Sequence, residues 1–259
     1  MTEQNASAAA GMFRWYELRT SDPTGAEAFY CAVVGWTASH QDGPAGRYTV
    51  LETPKGGVAG IGALAQGEAA PGWVGYVAVD DVDAAVAEVT TGGGRVIRPP
   101  ADVPGILRRA EVADPGGAPF IVYKGVSAGA PPLGQADEVG FVGWRELMAG
   151  DGESALEFYT RMFGWRQTDA INMGPMGPYR IWTDGRGHDV GGMMTKPPGG
   201  APAHWNLYLQ VDSIEAATGR LEAAGGAVTV GPMQVPRGNW IVQGTDPQGA
   251  DFCLVSKRQ

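Results

Sequence analysis

Residues 15–36 read WYELRTSDPTGAEAFYCAVVGW, and residues 144–165 read WRELMAGDGESALEFYTRMFGW. Laid over one another at a spacing of 129, they share Trp15 with Trp144, Glu17-Leu18 with Glu146-Leu147, and Asp22 with Asp151. They also share Phe29-Tyr30 with Phe158-Tyr159 and Gly35-Trp36 with Gly164-Trp165. After a small insertion in the second copy the spacing becomes 132. It then carries Val58 to Val190, Trp73 to Trp205, Tyr76 to Tyr208 and Val79-Asp80 to Val211-Asp212. The same spacing carries Gly93-Gly94 to Gly225-Gly226, Asp114-Pro115 to Asp246-Pro247 and Phe120 to Phe252. Self-similarity at a fixed period marks a repeated structural unit. The chain therefore reads as two tandem copies of one domain, over 12–125 and 139–259. A tail over 1–11 precedes them, and a linker over 126–138 joins them within the Pro/Gly/Ala stretch from Gly125 to Val139.

Each copy follows one plan. Phe13–Arg19 alternates as a short strand and stops at Ser21-Asp22-Pro23. Asp22 suits a helix N-cap and Pro23 the first helical position. Ala26, Phe29, Tyr30, Val33 and Val34 then fall on one helical face, which Gly35 closes. Ala155, Phe158, Tyr159, Met162 and Phe163 repeat that face before Gly164. Three strands are predicted near 37–41, 46–53 and 57–64. The order then restarts with a strand over Trp73–Val79, an Ala-rich helix capped by Asp81 and ended at Gly92–Gly94, and strands near 95–98, 106–113 and 118–124. The unit is βαβββ, used twice per copy. Gly57–Gly62 and Gly92–Gly94 lack the phosphate-loop arrangements and read as turn and cap glycines. Gly174–Tyr179 reads as a hairpin connection with a lid as the alternative, and Arg108-Arg109 as a solvated basic pair.

The βαβββ unit, D-x(6)-FY-x(4)-GW in the first module and D-P-x-G before the last strand resemble the vicinal oxygen chelate superfamily of glyoxalases, extradiol dioxygenases and bleomycin resistance proteins. The W-x-E-L opening and the doubling are most similar to its two-domain glyoxalase-like group, some of it labelled hydroxylase and associated with antibiotic tailoring. The resemblance implies an α+β fold of tandem domains, in which two βαβββ modules curl their sheets into an open cup that holds the ligand. Metalloenzymes of the superfamily grip a divalent ion with His and Glu from cup-facing strands. The resemblance maps those positions to Trp15, Val74 and Ile121 in the first copy and to Trp144, Asn206 and Cys253 in the second. A metal site needs three or four N, O or S donors; Trp, Val and Ile supply none. The expectation is no metal and no cofactor, against metal-dependent glyoxalase or dioxygenase activity. An adventitious site of His204, Asp251 and Cys253 is the alternative. His40 and His188 are expected in turns.

The resemblance places Trp15 and Trp144 in the cup, and strand alternation then sets Glu17 and Glu146 on the same face. Tyr76, Asn206, Tyr208, Gln210, Asp251 and Cys253 point inward by the same rule. An indole over a cavity is a flat apolar wall with one N–H donor, suited to a planar or aromatic ligand. Three readings of Trp-x-Glu stay open: a plug with the glutamate bonded to backbone or to an Arg such as Arg180, a ligand-binding wall, or acid–base catalysis by Glu17 or Glu146. A carboxylate left unpaired there would titrate high, as a general base requires. The second copy, with Asn206, Gln210 and Asp251, reads as the more polar cup and the first as the drier one.

The net charge of -9, from 19 basic and 28 acidic residues, argues against nucleic-acid partners and anionic membranes. No apolar run approaches the ~18 residues of a membrane span, and the start MTEQNASAAAG has no secretory pattern. Cys31 and Cys253 read as buried reduced thiols of a cytoplasmic protein. The function expected is a small-molecule binding protein, monomer or homodimer, holding an organic ligand in one or both cups. The alternative is a metal-independent isomerase, lyase or tailoring enzyme.

Overall fold

The computed structural model describes residues 10–43, 46–64, 67, 70–126, 131–135 and 137–259. The first repeat holds β1 (Phe13–Thr20), α1 (Pro23–Val34), β2 (Thr37–Gly43), β3 (Gly46–Thr53) and β4 (Gly56–Ala63). It continues with β5 (Gly72–Ala78), α2 (Val82–Thr91), β6 (Arg95–Val103), β7 (Leu107–Ala113) and β8 (Pro119–Gly125). The second repeat holds β9 (Val142–Ala149), α3 (Gly152–Phe163), β10 (Arg166–Asn172), β11 (Pro178–Thr183) and β12 (Gly191–Thr195), then β13 (His204–Gln210), α4 (Ile214–Ala223), β14 (Ala227–Gln234), β15 (Trp240–Thr245) and β16 (Asp251–Ser256). This is the doubled βαβββ plan, an α+β fold. Its strands form two eight-stranded mixed sheets, in the order β2-β3-β4-β1-β5-β8-β7-β6 and β10-β11-β12-β9-β13-β16-β15-β14.

Helix ends follow the expected local chemistry. Asp22 accepts the Gly25 N–H and Asp151 the Ser154 N–H, each at an N-cap, while Gly35 and Gly164 close α1 and α3 in the left-handed region. Helix α1 lays its whole predicted face on the core, with Ala26, Phe29, Tyr30, Val33 and Val34 buried; in α3 Ala155, Phe158 and Tyr159 are buried, while Met162 and Phe163 of the predicted face are half-buried. No described helix is long and apolar enough to cross a membrane.

The chain packs as two compact units, and neither coincides with a repeat. Among the described residues, one combines those up to Arg14 with those of 75–126 and 145–205; the other combines those of 15–74, 131–144 and 206–259. Each therefore joins a module from one repeat to a module from the other. In the first unit the Tyr159 hydroxyl donates to Asp114 Oδ2 at 3.2 Å, so the FY motif of the second repeat meets the D-P-x-G motif of the first. Trp165 Nε1 donates to the Gly11 carbonyl at 2.6 Å. Trp165 also stacks on Trp182 at 4.0 Å and lies 5.6 Å from the Phe13 ring. The second unit repeats the device with the partners exchanged. Tyr30 donates to Asp246 Oδ2 at 3.1 Å and accepts from Trp73 Nε1 at 2.9 Å, and Trp36 Nε1 donates to the Gly140 carbonyl at 2.8 Å. The residues that define the repeat are thus core residues that tie one copy to the other. Burial pushes both tyrosine hydroxyls well above their ordinary range, with Asp246 and Asp114 adding to it.

Residues 1–9 of the expected tail and 127–130 and 136 of the expected linker lie outside the described residues. At the tail's end, the Gly11 N–H donates to the Ala78 carbonyl at 2.8 Å. In the linker, Glu138 pairs with Lys55 and Asp137 with Lys257, each at 2.6 Å.

Several sequence expectations need correction. Gly57, Gly60 and Gly62 are not turn glycines but lie inside β4. His40 lies in β2, where its Nε2 is 2.7 Å from Glu27 Oε2. Cys31 is half-buried, and both cysteines are free thiols. The hairpin reading of Gly174–Tyr179 needs none: it connects β10 and β11 and contains one 3-10 turn.

Candidate functional site

The site begins with β1, its neighbour β4 and the next strand β3, in the second unit. β1 runs parallel to β4, pairing Glu17 with Gly60, and β3 runs antiparallel to β4, pairing Val50 with Gly60. Tyr48, two residues before Val50, projects across β4. A side chain at Gly60 would overlap the Tyr48 ring, and one at Gly57 would meet Trp15 at 3.4 Å. Glycine at position 60 thus makes room for the Tyr48 ring, whereas at position 57 a side chain would first meet Val50 Cγ1 at 2.9 Å, with Trp15 at ordinary contact distance.

A continuous hydrogen-bonded chain results. Trp15 Nε1 donates to the Tyr48 hydroxyl at 3.1 Å, the Tyr48 hydroxyl donates to Glu17 Oε2 at 3.2 Å, and Arg19 Nε donates to Glu17 Oε1 at 3.0 Å. Glu17 and Arg19 are buried, at 6% and 8% exposure, whereas Trp15 and Tyr48 are half-buried. Both carboxylate oxygens are engaged, so the unpaired glutamate that the sequence allowed is absent. Its cation is Arg19, two residues along the same strand face. Arg180, the partner suggested from the sequence, instead meets Glu153 at 3.3 Å.

The first unit carries the second module of the same repeat. Tyr76 is fully buried, and its hydroxyl accepts from Arg109 Nη1. The Arg109 guanidinium lies 5.8 Å from the Tyr76 ring centroid, and Tyr123 meets Tyr76 edge-on at 5.8 Å. Arg98 pairs with Glu111 at 3.4 Å. The basic pair read as solvated therefore divides. Arg108 forms surface ion pairs with Asp83 and Asp102, while Arg109 turns to Tyr76.

The second repeat answers these positions differently. On β13, β15 and β16, Tyr208, Ile241, Cys253 and Val255 form a buried cluster with Trp144 and Val235 packed against it. Gln243 Nε2 donates to the Tyr208 hydroxyl at 2.9 Å. Gln210 is buried, with its backbone paired to Gly140 and Phe141; Asn206 is half-buried, and Asp251 is exposed opposite Thr245. The structure thus brings Trp144, Tyr208 and Cys253 together, with Ile241 and Val255 packed beside them. In the first unit, Glu146 is half-buried and pairs in register with Gly192, over which the Tyr179 ring lies as Tyr48 lies over Gly60. Met148 occupies the position equivalent to Arg19.

Tyr48 escaped the sequence reading, and Tyr179, Arg19 and Arg109 were not read there as site residues. The usable signal for Tyr48 and Tyr179 was glycine within a strand, which marks the close approach of another group.

In the first repeat the metal positions implied by the resemblance fail on donor chemistry. Trp15 uses its only nitrogen as a donor to Tyr48, and the Val74 and Ile121 side chains are hydrocarbon. The His204 ring is bonded through Nδ1 to the Pro202 carbonyl at 2.8 Å. Among the described residues, no group of three or more His, Cys, Asp and Glu side chains could hold an ion.

The family model described as the Glyoxalase/Bleomycin resistance protein/Dioxygenase superfamily matches residues 13–122 and 141–254. The anthracycline biosynthesis protein DnrV of Streptomyces peucetius is 34% identical over 268 residues, covering 97% of this chain and 95% of its own. CFP32 of Mycobacterium tuberculosis, provisionally named a glyoxylase, is 32% identical over 252 residues, covering 95% and 94%. The Mn(II)-bound glyoxalase of Novosphingobium aromaticivorans shares the fold, with a TM-score of 0.67 and 19% identity, covering 97% of this chain and 83% of that one.

Proposed function

This chain belongs to the Glyoxalase/Bleomycin resistance protein/Dioxygenase superfamily, and from that premise we propose that it binds a small planar organic ligand in its first repeat, without a metal ion. The observation that carries the reading is the Trp15–Tyr48–Glu17–Arg19 chain. It sets a half-buried indole and phenol above a buried, mutually neutralised ion pair. A flat apolar wall with hydrogen-bonding groups at its edge favours an uncharged aromatic over a small anion. Two relatives named as anthracycline biosynthesis proteins, DnrV and DauV of Streptomyces sp. strain C5, support a polycyclic ligand or a role in tailoring one. The proposal extends to a protein that acts on small molecules as a monomer or homodimer, without nucleic-acid or membrane partners. Its two free thiols support a reducing, cytoplasmic setting.

The test is equilibrium binding of a flat aromatic ligand followed by tryptophan fluorescence. Affinity should be unchanged by a chelator, and the quenching response should be lost in Trp15→Ala. Affinity that collapses in chelator and returns with a divalent ion would refute the reading.

The alternative reading is a metal-independent proton-transfer enzyme with a glutamate as base; for Glu17 the hydrogen bonds from Tyr48 and Arg19, which engage both carboxylate oxygens, count against that role. Glu146 is the corresponding candidate in the second repeat. Replacement of a general base by its amide lowers turnover by ~10²–10⁴. Unchanged turnover in both Glu17→Gln and Glu146→Gln would eliminate this second reading.

A further inference from the structure

We propose that Tyr48 is a positioning residue, which fixes the Trp15 indole as the wall of the ligand site, and that Gly60 is present to seat it. The inference rests on the binding reading above and deepens it. An indole on a strand turns about two side-chain torsions, and its plane is fixed only by what touches its edge and faces. Here the Trp15 ring rests near Gly57, and its Nε1 is tied to the Tyr48 hydroxyl at 3.1 Å. The phenol is itself fixed at both ends. Its ring lies where a Gly60 side chain would be, and its proton points to Glu17 Oε2 at 3.2 Å. Glu17 is held in turn by Arg19 at 3.0 Å. Order thus passes outward from the buried ion pair, through the half-buried phenol, to the half-buried indole. A wall held in place before binding loses less side-chain freedom when the ligand arrives, which appears as affinity.

The proposal separates action through Trp15 from direct contact with the ligand. The experiment titrates the full chain with 1-aminoanthracene, a flat uncharged dye, and follows its emission. Four proteins are compared: wild type, Tyr48→Phe, Trp15→Phe and the double variant. Tyr48→Phe keeps the ring on Gly60 and removes only the hydroxyl. A net hydrogen bond of about 1 kcal/mol corresponds to a loss of roughly fivefold in affinity. Trp15→Phe retains an aromatic wall but has no N–H to tie, so Tyr48→Phe should cost nothing more in that background. Gly60→Ala, which displaces the phenol, should reproduce the loss in wild type and not in Trp15→Phe. An equal loss from Tyr48→Phe in both backgrounds overturns the proposal, as does no loss in wild type. If wild type does not bind the dye, the binding reading falls first and this inference with it.

Discussion

Where β1 of the first repeat carries Arg19, β9 of the second carries Met148; where β7 carries Arg109 and Glu111, β15 carries Ile241 and Gln243. Both repeats keep the aromatic ring over a glycine, Tyr48 on Gly60 and Tyr179 on Gly192, and both keep a tyrosine on the strand that opens the second module, Tyr76 and Tyr208. Duplication preserved the scaffold in both copies, while charged partners stand in the first where methionine and isoleucine stand in the second. A tyrosine hydroxyl served by Arg109 in one copy is served by Gln243 in the other. Equivalent backbone positions therefore do not imply equivalent chemistry.

The largest expected effect comes from making the first repeat resemble the second. Arg19→Met leaves the buried Glu17 carboxylate without this cation and should lower unfolding free energy by about 3–5 kcal/mol in a denaturant titration. Adding Glu17→Leu should recover most of that loss, because a packed apolar pair replaces a buried ion pair at little net cost. A loss below about 0.5 kcal/mol for Arg19→Met alone would mean that the ion pair is not what distinguishes the repeats.

The crosswise locks should respond more alike. Tyr159→Phe removes the bond to Asp114 and should cost about 1–3 kcal/mol, the range for a buried acceptor left without its donor. Tyr30→Phe should cost more within that range, since it also strands the Trp73 N–H. Denaturant midpoints of the two variants provide the comparison, and a negligible cost for Tyr30→Phe would contradict it.

A smaller effect is a pH slope at one lock. Burial raises the Asp114 carboxyl above its ordinary value of 3.8, against the lowering by hydrogen bonds from the Ala118 amide and Tyr159. The folded state therefore binds the proton more tightly than the unfolded chain does. The stabilisation is fully present below about pH 4 and is lost as pH rises through the raised folded value. Measured from pH 4 to 7, Asp114→Asn should improve relative to wild type as pH rises; a constant difference would contradict the assignment. At the bottom of the scale, Arg108→Ala removes only exposed ion pairs with Asp83 and Asp102 and should leave the thermal midpoint unchanged.

The repeat, the helix caps and most strand limits were legible because each rests on local chemistry: Asp22 and Asp151 as caps, Gly35 and Gly164 as stops, and faces spaced at the helical period. Tyr48 was not legible. Its contact with Gly60 depends on how β3 and β4 align, which distant pairing decides, and glycines in a strand look like glycines in a turn until that pairing is known. The Arg19–Glu17 pair was within reach, since both residues share one strand face. The crosswise meeting of Tyr30 with Asp246 and Tyr159 with Asp114 was not, because identical motifs in two copies cannot say which copy partners which.

The central claim, that the first repeat alone holds the ligand against Trp15, is tested most directly by calorimetric titration of the full chain with 1-aminoanthracene. The account predicts one molecule bound per chain, abolished by Trp15→Ala and retained by Trp144→Ala. Two molecules per chain, or binding lost in Trp144→Ala and kept in Trp15→Ala, would contradict it.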